Sequence, residues 1–353
     1  MVSGQAQPRV STPTNDKGGS VPSLSLPIPA RILRPLRFVF MAGTSVLLFW
    51  LLVRDVNLQL MGHTLAHAQL LYLLPISVAF FVRYWLRAVR WRRLVRHLRE
   101  IPTGHCFDRV VLCQAADRML PAQLSYPVTV QLAAAKFQIG PVQLFGTDLI
   151  ERMMDGCVYA VFLAVALATL RIGAAYTGVT AFLVVGTAIG MSLGWWLTRR
   201  PRDKRVPANW PFARFLRQFL EGLETIQEGR KTLWLFGVSL AIWFVEAGIY
   251  LLVGLALGIH LNPLVGVFLV AMANTGAAVP LAQAAVGFIF VAQRVLEWSG
   301  HTASAATTYA ATLEVLLLLS VLLLAPAAAY RLRVGWQDFL PRRRPAPVPV
   351  RID

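Results

Sequence analysis

The sequence predicts an all-α polytopic membrane protein with about six full transmembrane helices and two oppositely oriented re-entrant helical hairpins. Three observations carry this. Hydrophobic residues make up 56% of the 353 residues and charged residues only 14%, with a mean hydropathy of +0.58, well outside the range of soluble domains. Six apolar runs, 36–53, 65–85, 149–170, 174–197, 233–257 and 307–330, approach or exceed the roughly 20 residues that a spanning helix needs. Two further apolar regions, 107–139 and 264–298, are broken by proline and polar residues where a plain span would carry Leu, Ile and Val.

Residues 1–30 are rich in Ser, Pro, Gly and Gln and show no apolar period, which predicts a disordered tail. The first apolar run ends at Arg54-Asp55 without a small-residue cleavage signature and reads as an uncleaved anchor. Residues 31–335 then form one transmembrane domain, and 336–353 a basic, Pro-rich tail. Lys and Arg set the orientation. Arg31, Arg34 and Arg37 place the N-terminus inside, and the block "RYWLRAVRWRRLVRHLR" and the run "TRRPRDKR" are inside as well. The short loops near Asn57, Arg171 and His260 are outside, and the last helix ends at the basic tail, inside. The expected location is the cytoplasmic membrane, with both termini cytoplasmic.

Counting crossings gives the hairpins. Region 107–139 begins and ends inside, because 149–170 runs outward; region 264–298 begins and ends outside. Each therefore enters and leaves on one side, and the two enter from opposite faces. Pro121 and Pro127 interrupt the first, Pro280 the second, and Gly287 follows the second break as a hinge. Irregular backbone at membrane depth survives only where it is buried in protein or lines a wet cavity, and opposed broken segments point to a transporter site. Within the cytoplasmic loop 199–231, Phe212, Phe215, Leu216, Phe219, Leu223 and Ile226 recur at helical spacing opposite Arg214, Arg217, Glu221 and Glu224, an amphipathic surface helix.

The formal charge of +17 comes from blocks beside apolar runs, the pattern of cytoplasmic membrane loops, so no nucleic-acid partner is expected; anionic phospholipid headgroups are the natural partners of these blocks. Cys106, Cys113 and Cys157 have no disulfide or zinc spacing. His63 and His67 lack a third ligand, so no metal is expected, and no cofactor fingerprint, nucleophile elbow or Ser-His-Asp arrangement is present. No catalytic residue is therefore assigned. Ionisable groups inside spans are functional candidates by default. Glu246 lies mid-helix in "LAIWFVEAGIYLL"; Glu151 and Asp155 in "DLIERMMDG" share a helix face, and Arg152 and Asp155 are spaced to pair. Asp117, Arg118, Arg294, Glu297 and Glu314 are further charges in or beside the apolar regions.

The motifs "RYWLRAVRWRRLV", "MLPAQL", "IERMMDG", "FLEGL", "IWFVEAGIYLL" and "ANTGAAVPLAQAAVG", in that order, resemble the transmembrane domain of the lysylphosphatidylglycerol synthase and flippase-like family over residues 35–335. The resemblance implies a bacterial or archaeal cytoplasmic-membrane protein that moves a lipid between leaflets; members are associated with aminoacylated phosphatidylglycerol, polyprenyl-linked sugars and hopanoid-type lipids. Glu151, Arg152, Asp155 and Glu246 match family positions, as do Pro121, Ala122, Leu124, Asn274, Pro280, Leu281 and Gly287. In the first hairpin Arg118, Gln123, Ser125 and Tyr126 stand where the family has Asn, Arg, Gly and Glu. In the second, Gln283, Ala284, Ala285 and Phe290 stand where it has Pro, two Gly and Glu. Losing two carboxylates should favour an anionic or neutral headgroup over a cationic one. No soluble synthase domain accompanies the membrane part, so the chain is not expected to make the aminoacylated lipid.

The function expected is translocation of an amphipathic lipid whose headgroup contacts Gln123, Asn274 and Gln283, with Glu246, Glu151, Arg152 and Asp155 supplying polarity or proton coupling. One alternative is a membrane-embedded transferase on polyprenyl-phosphate substrates, with Glu151 or Asp155 as base. Another is a scaffold that recruits a lipid-modifying enzyme as partner.

Overall fold

The structure is a computed structural model that describes residues 66–119, 122–170, 229–277 and 284–334, with isolated positions between 177 and 221. Runs 36–53 and 174–197, the amphipathic helix in 199–231 and both tails lie wholly or mostly outside the described residues, as do Pro121, Pro280 and Gln283.

The described elements are all helical. A 3-10 turn, Leu70–Tyr72, leads into α1, Leu73–Val95. There follow α2, Thr103–Met119; α3, Ala122–Phe137; α4, Pro141–Thr169; α5, Gly229–Ala256; α6, Pro263–Ala277; α7, Ala284–Trp298; and α8, Ala303–Arg331. Four segments are long and apolar enough to cross a membrane: Leu70–Val95, Pro141–Thr169, Gly229–Ala256 and Ala303–Arg331. At about 1.5 Å per residue each exceeds the roughly 30 Å hydrocarbon core. The four helices of the interrupted regions, α2, α3, α6 and α7, are each only roughly 22–25 Å long by the same rise and fall short of it.

The outward faces are apolar. Leu74 and Val78 on α1, Val161 and Val165 on α4, Phe244 on α5 and Leu319 and Leu323 on α8 are exposed. The inward faces, by contrast, bury Arg83, Arg87, Arg90, Arg109, Asp108, Asp148, Glu246 and Glu314. An apolar exterior around a charged interior is the arrangement that lipid as solvent selects.

Local sequence sets the helix ends. Asn262 caps α6 by accepting a bond from the Leu264 N–H at 2.9 Å, and Pro263 occupies the first turn, where its missing donor costs nothing. Thr302 caps α8 through the Ala305 N–H. Helices α5 and α7 end in the same motif: Gly258 (φ +71°) and Gly300 (φ +98°) turn left-handed. Ile259 N–H then bonds Gly254 C=O at 2.8 Å, and His301 N–H bonds Leu296 C=O at 3.1 Å. Pro127 does not break its helix, contrary to the sequence expectation. It is the sixth residue of α3, so the one bond it removes belongs to the first turns; α2 ends at Met119 and α3 begins at Ala122.

Register follows from cross-helix pairs. Helices α1 and α5 are antiparallel, with the Gln69 N–H on Ala256 C=O at 2.8 Å and Arg90 on Ser239 at 2.7 Å. Helix α8 acts as a common spine. Asp108 near the start of α2 meets Arg331 at the end of α8, with Arg331 Nε donating at 2.9 and 3.1 Å. Arg118 near the end of α2 pairs with Glu314, midway along α8. The Arg118 guanidinium also lies 5.7 Å from the Phe288 ring near the start of α7, and α7 packs on α8 as well. Helices α2 and α7 thus come together at Arg118, near the middle of α8.

Replacing Gly258 or Gly300 by Ala forces a Cβ into left-handed backbone at a cost of roughly 1 kcal/mol per site. Thermal unfolding in detergent should show a lower midpoint for each variant and an additive loss for the pair. Unchanged midpoints would show that these caps contribute nothing.

Candidate functional site

The segment "RYWLRAVR" places Arg83, Arg87 and Arg90 at spacings of four and three, one face of α1. All three are buried, 2%, 9% and 0% exposed, and they point into the bundle rather than outward. Of the arginines in this block, Arg92, Arg93, Arg96 and Arg99 are exposed. The reading of the whole block as surface charge is thus corrected. A helical row of arginines spaced 4, 3 within an apolar span was the available signal, and its charge masked its burial.

Each buried arginine meets groups from other helices. Arg83 ion-pairs with Glu246 on α5 and donates to Gln114 Oε1 on α2 at 3.4 Å. Arg90 is the central clamp. It pairs with both Glu151 and Asp155 of α4 and donates to Ser239 Oγ of α5 at 2.7 Å. Trp243 Nε1 donates to the same Asp155 at 2.8 Å. Arg109 of α2 grips Asp148 with one nitrogen, at 2.8 and 2.9 Å, and stacks over Trp91 at 4.3 Å. Arg87 lies 5.1 Å over the Trp243 ring, and Arg152 5.0 Å over the Tyr126 ring. Asp117 accepts a hydrogen bond from Ser125.

These side chains surround a polar cavity of about 140 Å³ between α1, α2, α3 and α4. Its charged lining is Arg87, Arg109, Asp117, Asp148, Glu151, Arg152 and Asp155. Asp148 to Asp155 occupy roughly the first half of α4, so the charge extends about 20 Å along that helix from its start. Charge at that depth needs partners or water, and a cavity of this volume has room for several waters or a small headgroup.

The structure places three of the expected site residues in this lining: Glu151, Arg152 and Asp155. Glu151 and Asp155 do share a face, and both are held by Arg90. Arg152 does not pair with Asp155; Arg90 has taken that carboxylate, and Arg152 stacks on Tyr126 instead. Glu246 lies one layer behind, linked through Arg83 to Gln114. Asn274 sits elsewhere, donating to Tyr250 Oη at 3.2 Å and to Val270 C=O at 2.8 Å. Gly287 is buried within α7. The side chain of Gln123, with Pro121, Pro280 and Gln283, is outside the described residues. Arg87, Arg109 and Asp148 were not anticipated as site residues. The last two lie in "FDRVV" and "GTDLI", and nothing local predicts that they meet across 39 residues. Among the described residues, no cluster of His, Cys, Asp and Glu could hold a metal ion.

Spanning helices with an apolar exterior around buried ion pairs define a multi-pass membrane protein. Residues 36–325 match the model of the lysylphosphatidylglycerol synthase TM region, so the chain belongs to that family of lipid-related membrane proteins. Comparison with curated proteins and with solved structures finds no match.

Replacing Arg90 by Gln leaves the largely buried Glu151 and Asp155 without the guanidinium that pairs with both, a loss of about 3 kcal/mol. The charge-free triple variant, Arg90→Met with Glu151→Leu and Asp155→Leu, should recover most of it. Thermal unfolding of the three proteins in detergent measures both effects. A single variant as stable as the parent would show that the clamp does not hold these helices.

Proposed function

We propose that this protein moves an amphipathic membrane lipid between leaflets, the headgroup passing through the polar cavity while the acyl or prenyl tails remain in the bilayer. The observation that carries this reading is the cavity itself, a charged space enclosed by helices whose outer faces are apolar. Its lining comes from two kinds of element, long spans (α1, α4) and the first interrupted pair (α2, α3). On this reading the two interrupted pairs are re-entrant hairpins entering from opposite faces of the cytoplasmic membrane, with both termini cytoplasmic. The meeting of α2 and α7 beside Glu314 of α8 supports that arrangement, because short helices ending at membrane depth need polar surroundings for their terminal N–H and C=O groups. Glu151, Arg152 and Asp155 line the path. Glu246 supports it from behind through Arg83.

The transferase alternative is less well supported. Its base would be Glu151 or Asp155, and both are held by Arg90, with Trp243 donating to Asp155 as well. A carboxylate held by a guanidinium is a poor proton acceptor near neutral pH.

The test is lipid movement in vesicles. Purified protein is reconstituted with phospholipids carrying a small fluorescent tag, and externally added dithionite bleaches the outer-leaflet label. Active protein should expose inner-leaflet label on the time scale of minutes. Gln114→Trp, which fills the cavity, should slow this by roughly tenfold or more, a loss of about 1.4 kcal/mol or greater in barrier terms. Bleaching that stops at the outer leaflet with every headgroup tried, from a folded parent protein, would sink the translocation reading.

A further inference from the structure

The lining charges of the cavity do not cancel pair by pair. Arg109 occupies Asp148, and Arg90, behind the wall, occupies Glu151 and Asp155. Three charged lining groups remain without an ion-pair partner among the described residues: Arg87, Arg152 and Asp117. Arg87 is the telling one. It is nine-tenths buried, and its Nε has no hydrogen-bond partner. Its guanidinium lies over the face of Trp243 at 5.1 Å, and Asp155, which feels its charge, is held by Arg90. Arg152 is held in the same manner by the face of Tyr126 at 5.0 Å. Stacking occupies the flat face of a guanidinium and leaves its N–H edge free to form bonds. Two guanidinium edges therefore border one cavity with no protein acceptor assigned to them. A buried guanidinium N–H without an acceptor is costly, and the cost is relieved when an acceptor arrives.

We propose that Arg87 and Arg152 form the binding site for the phosphate of a phosphodiester lipid headgroup, with Asp117 excluding more highly charged anions. The assignment rests on the reading that this cavity receives a lipid headgroup. Phosphate suits the site because its oxygens match the N–H fork of a guanidinium, and two arginines from different helices can each take one or two of them. Asp117 decides the class of phosphate. It lies at the same cavity, where among the described residues the Ser125 hydroxyl donates to it. Arg90 offsets only one of the two carboxylates it clamps, so the lining and its clamp together carry no spare positive charge, and an anion is admitted by free N–H edges rather than by net charge. A phosphodiester brings a single negative charge; a phosphomonoester carries up to two near neutral pH and meets the Asp117 carboxylate. A headgroup with no phosphate leaves Arg87 as it is and gains nothing.

The experiment is lipid retention by native mass spectrometry of the full chain released from delipidating detergent. Three probes share identical dioleoyl tails: phosphatidylmethanol, a phosphodiester with the smallest headgroup; phosphatidic acid, a phosphomonoester; and dioleoylglycerol, without phosphate. Glycerol 3-phosphate and inorganic phosphate serve as tail-free probes. Phosphatidylmethanol should be retained at least tenfold over dioleoylglycerol and several-fold over phosphatidic acid, while the tail-free phosphates bind far more weakly. Arg87→Gln and Arg152→Gln should each lower retention at least fivefold, and together bring it to the dioleoylglycerol level. Arg152 is exposed and stacks on the protein surface of the cavity, so its replacement keeps the fold and the test remains readable if Arg87→Gln unfolds the chain. Asp117→Asn should raise phosphatidic acid to the level of phosphatidylmethanol.

Equal retention of phosphatidylmethanol and dioleoylglycerol overturns the proposal, as does full retention by a folded Arg152→Gln variant. Tail-free phosphate bound as tightly as the lipid would overturn the lipid source. Arginine-dependent retention without movement in vesicles would keep this site and end the translocation reading; movement that ignores Arg87→Gln and Arg152→Gln would do the reverse.

Discussion

The interaction on which the rest of the structure depends is Arg90 held between Glu151 and Asp155. A guanidinium with no exposed surface in an apolar bundle is tolerable only if counter-charges reach it, and no residue of its own helix supplies one. Both carboxylates come from α4, and α5 adds the Ser239 hydroxyl and, through Asp155, the Trp243 N–H. One side chain thereby sets the mutual register of three long helices. In lipid this matters more than in water. Apolar faces have no preference for one another over acyl chains, so specific pairing has to come from packing and from polar contacts.

The same logic is repeated at lower rank. Arg83 with Glu246 ties α1 to α5 about two turns further on, and Arg109 with Asp148 ties α2 to α4. Helix α2 is fastened to α8 at both ends, by Asp108 with Arg331 and by Arg118 with Glu314. The Glu314 contact also marks where α2 meets α7, since Arg118 lies over Phe288. Helices too short to cross the hydrocarbon core end near this point, and a charged pair there offers their terminal polar groups a better environment than lipid.

A cavity exists because the polar side chains that line it satisfy one another unequally. Where carboxylate and guanidinium match, the wall is closed and stable. Where Arg87 and Arg152 find only aromatic faces, it stays open to a ligand. Stability and function thus share one charge network, with the paired members holding the helices and the unpaired members facing the cavity. The expected tip residues of the hairpins contribute less to this picture: Asn274 is engaged by Tyr250 and its own helix, away from the lining.

Much of the fold was legible in the chain because lipid imposes a simple rule on sequence. Four of the six long apolar runs coincide with spanning helices, and both interrupted regions become pairs of short helices. Run length and proline position suffice for that, since backbone hydrogen bonding in a membrane is local to each helix. Pro127 shows the limit of the rule, because its effect depends on how far into the helix it falls. The site was legible only in part. Glu151, Asp155 and Glu246 stand out as carboxylates inside apolar runs, but their partners Arg90 and Arg83 sit in a block whose composition mimics a cytoplasmic loop. Arg109 and Asp148 carry no local signature. By itself the sequence determined which segments are helical and membrane-bound, since that follows from the hydropathy and hydrogen bonding of each segment alone. The tertiary structure decided which buried charges are partnered and which are left to a ligand, because that depends on distances between helices far apart in the chain.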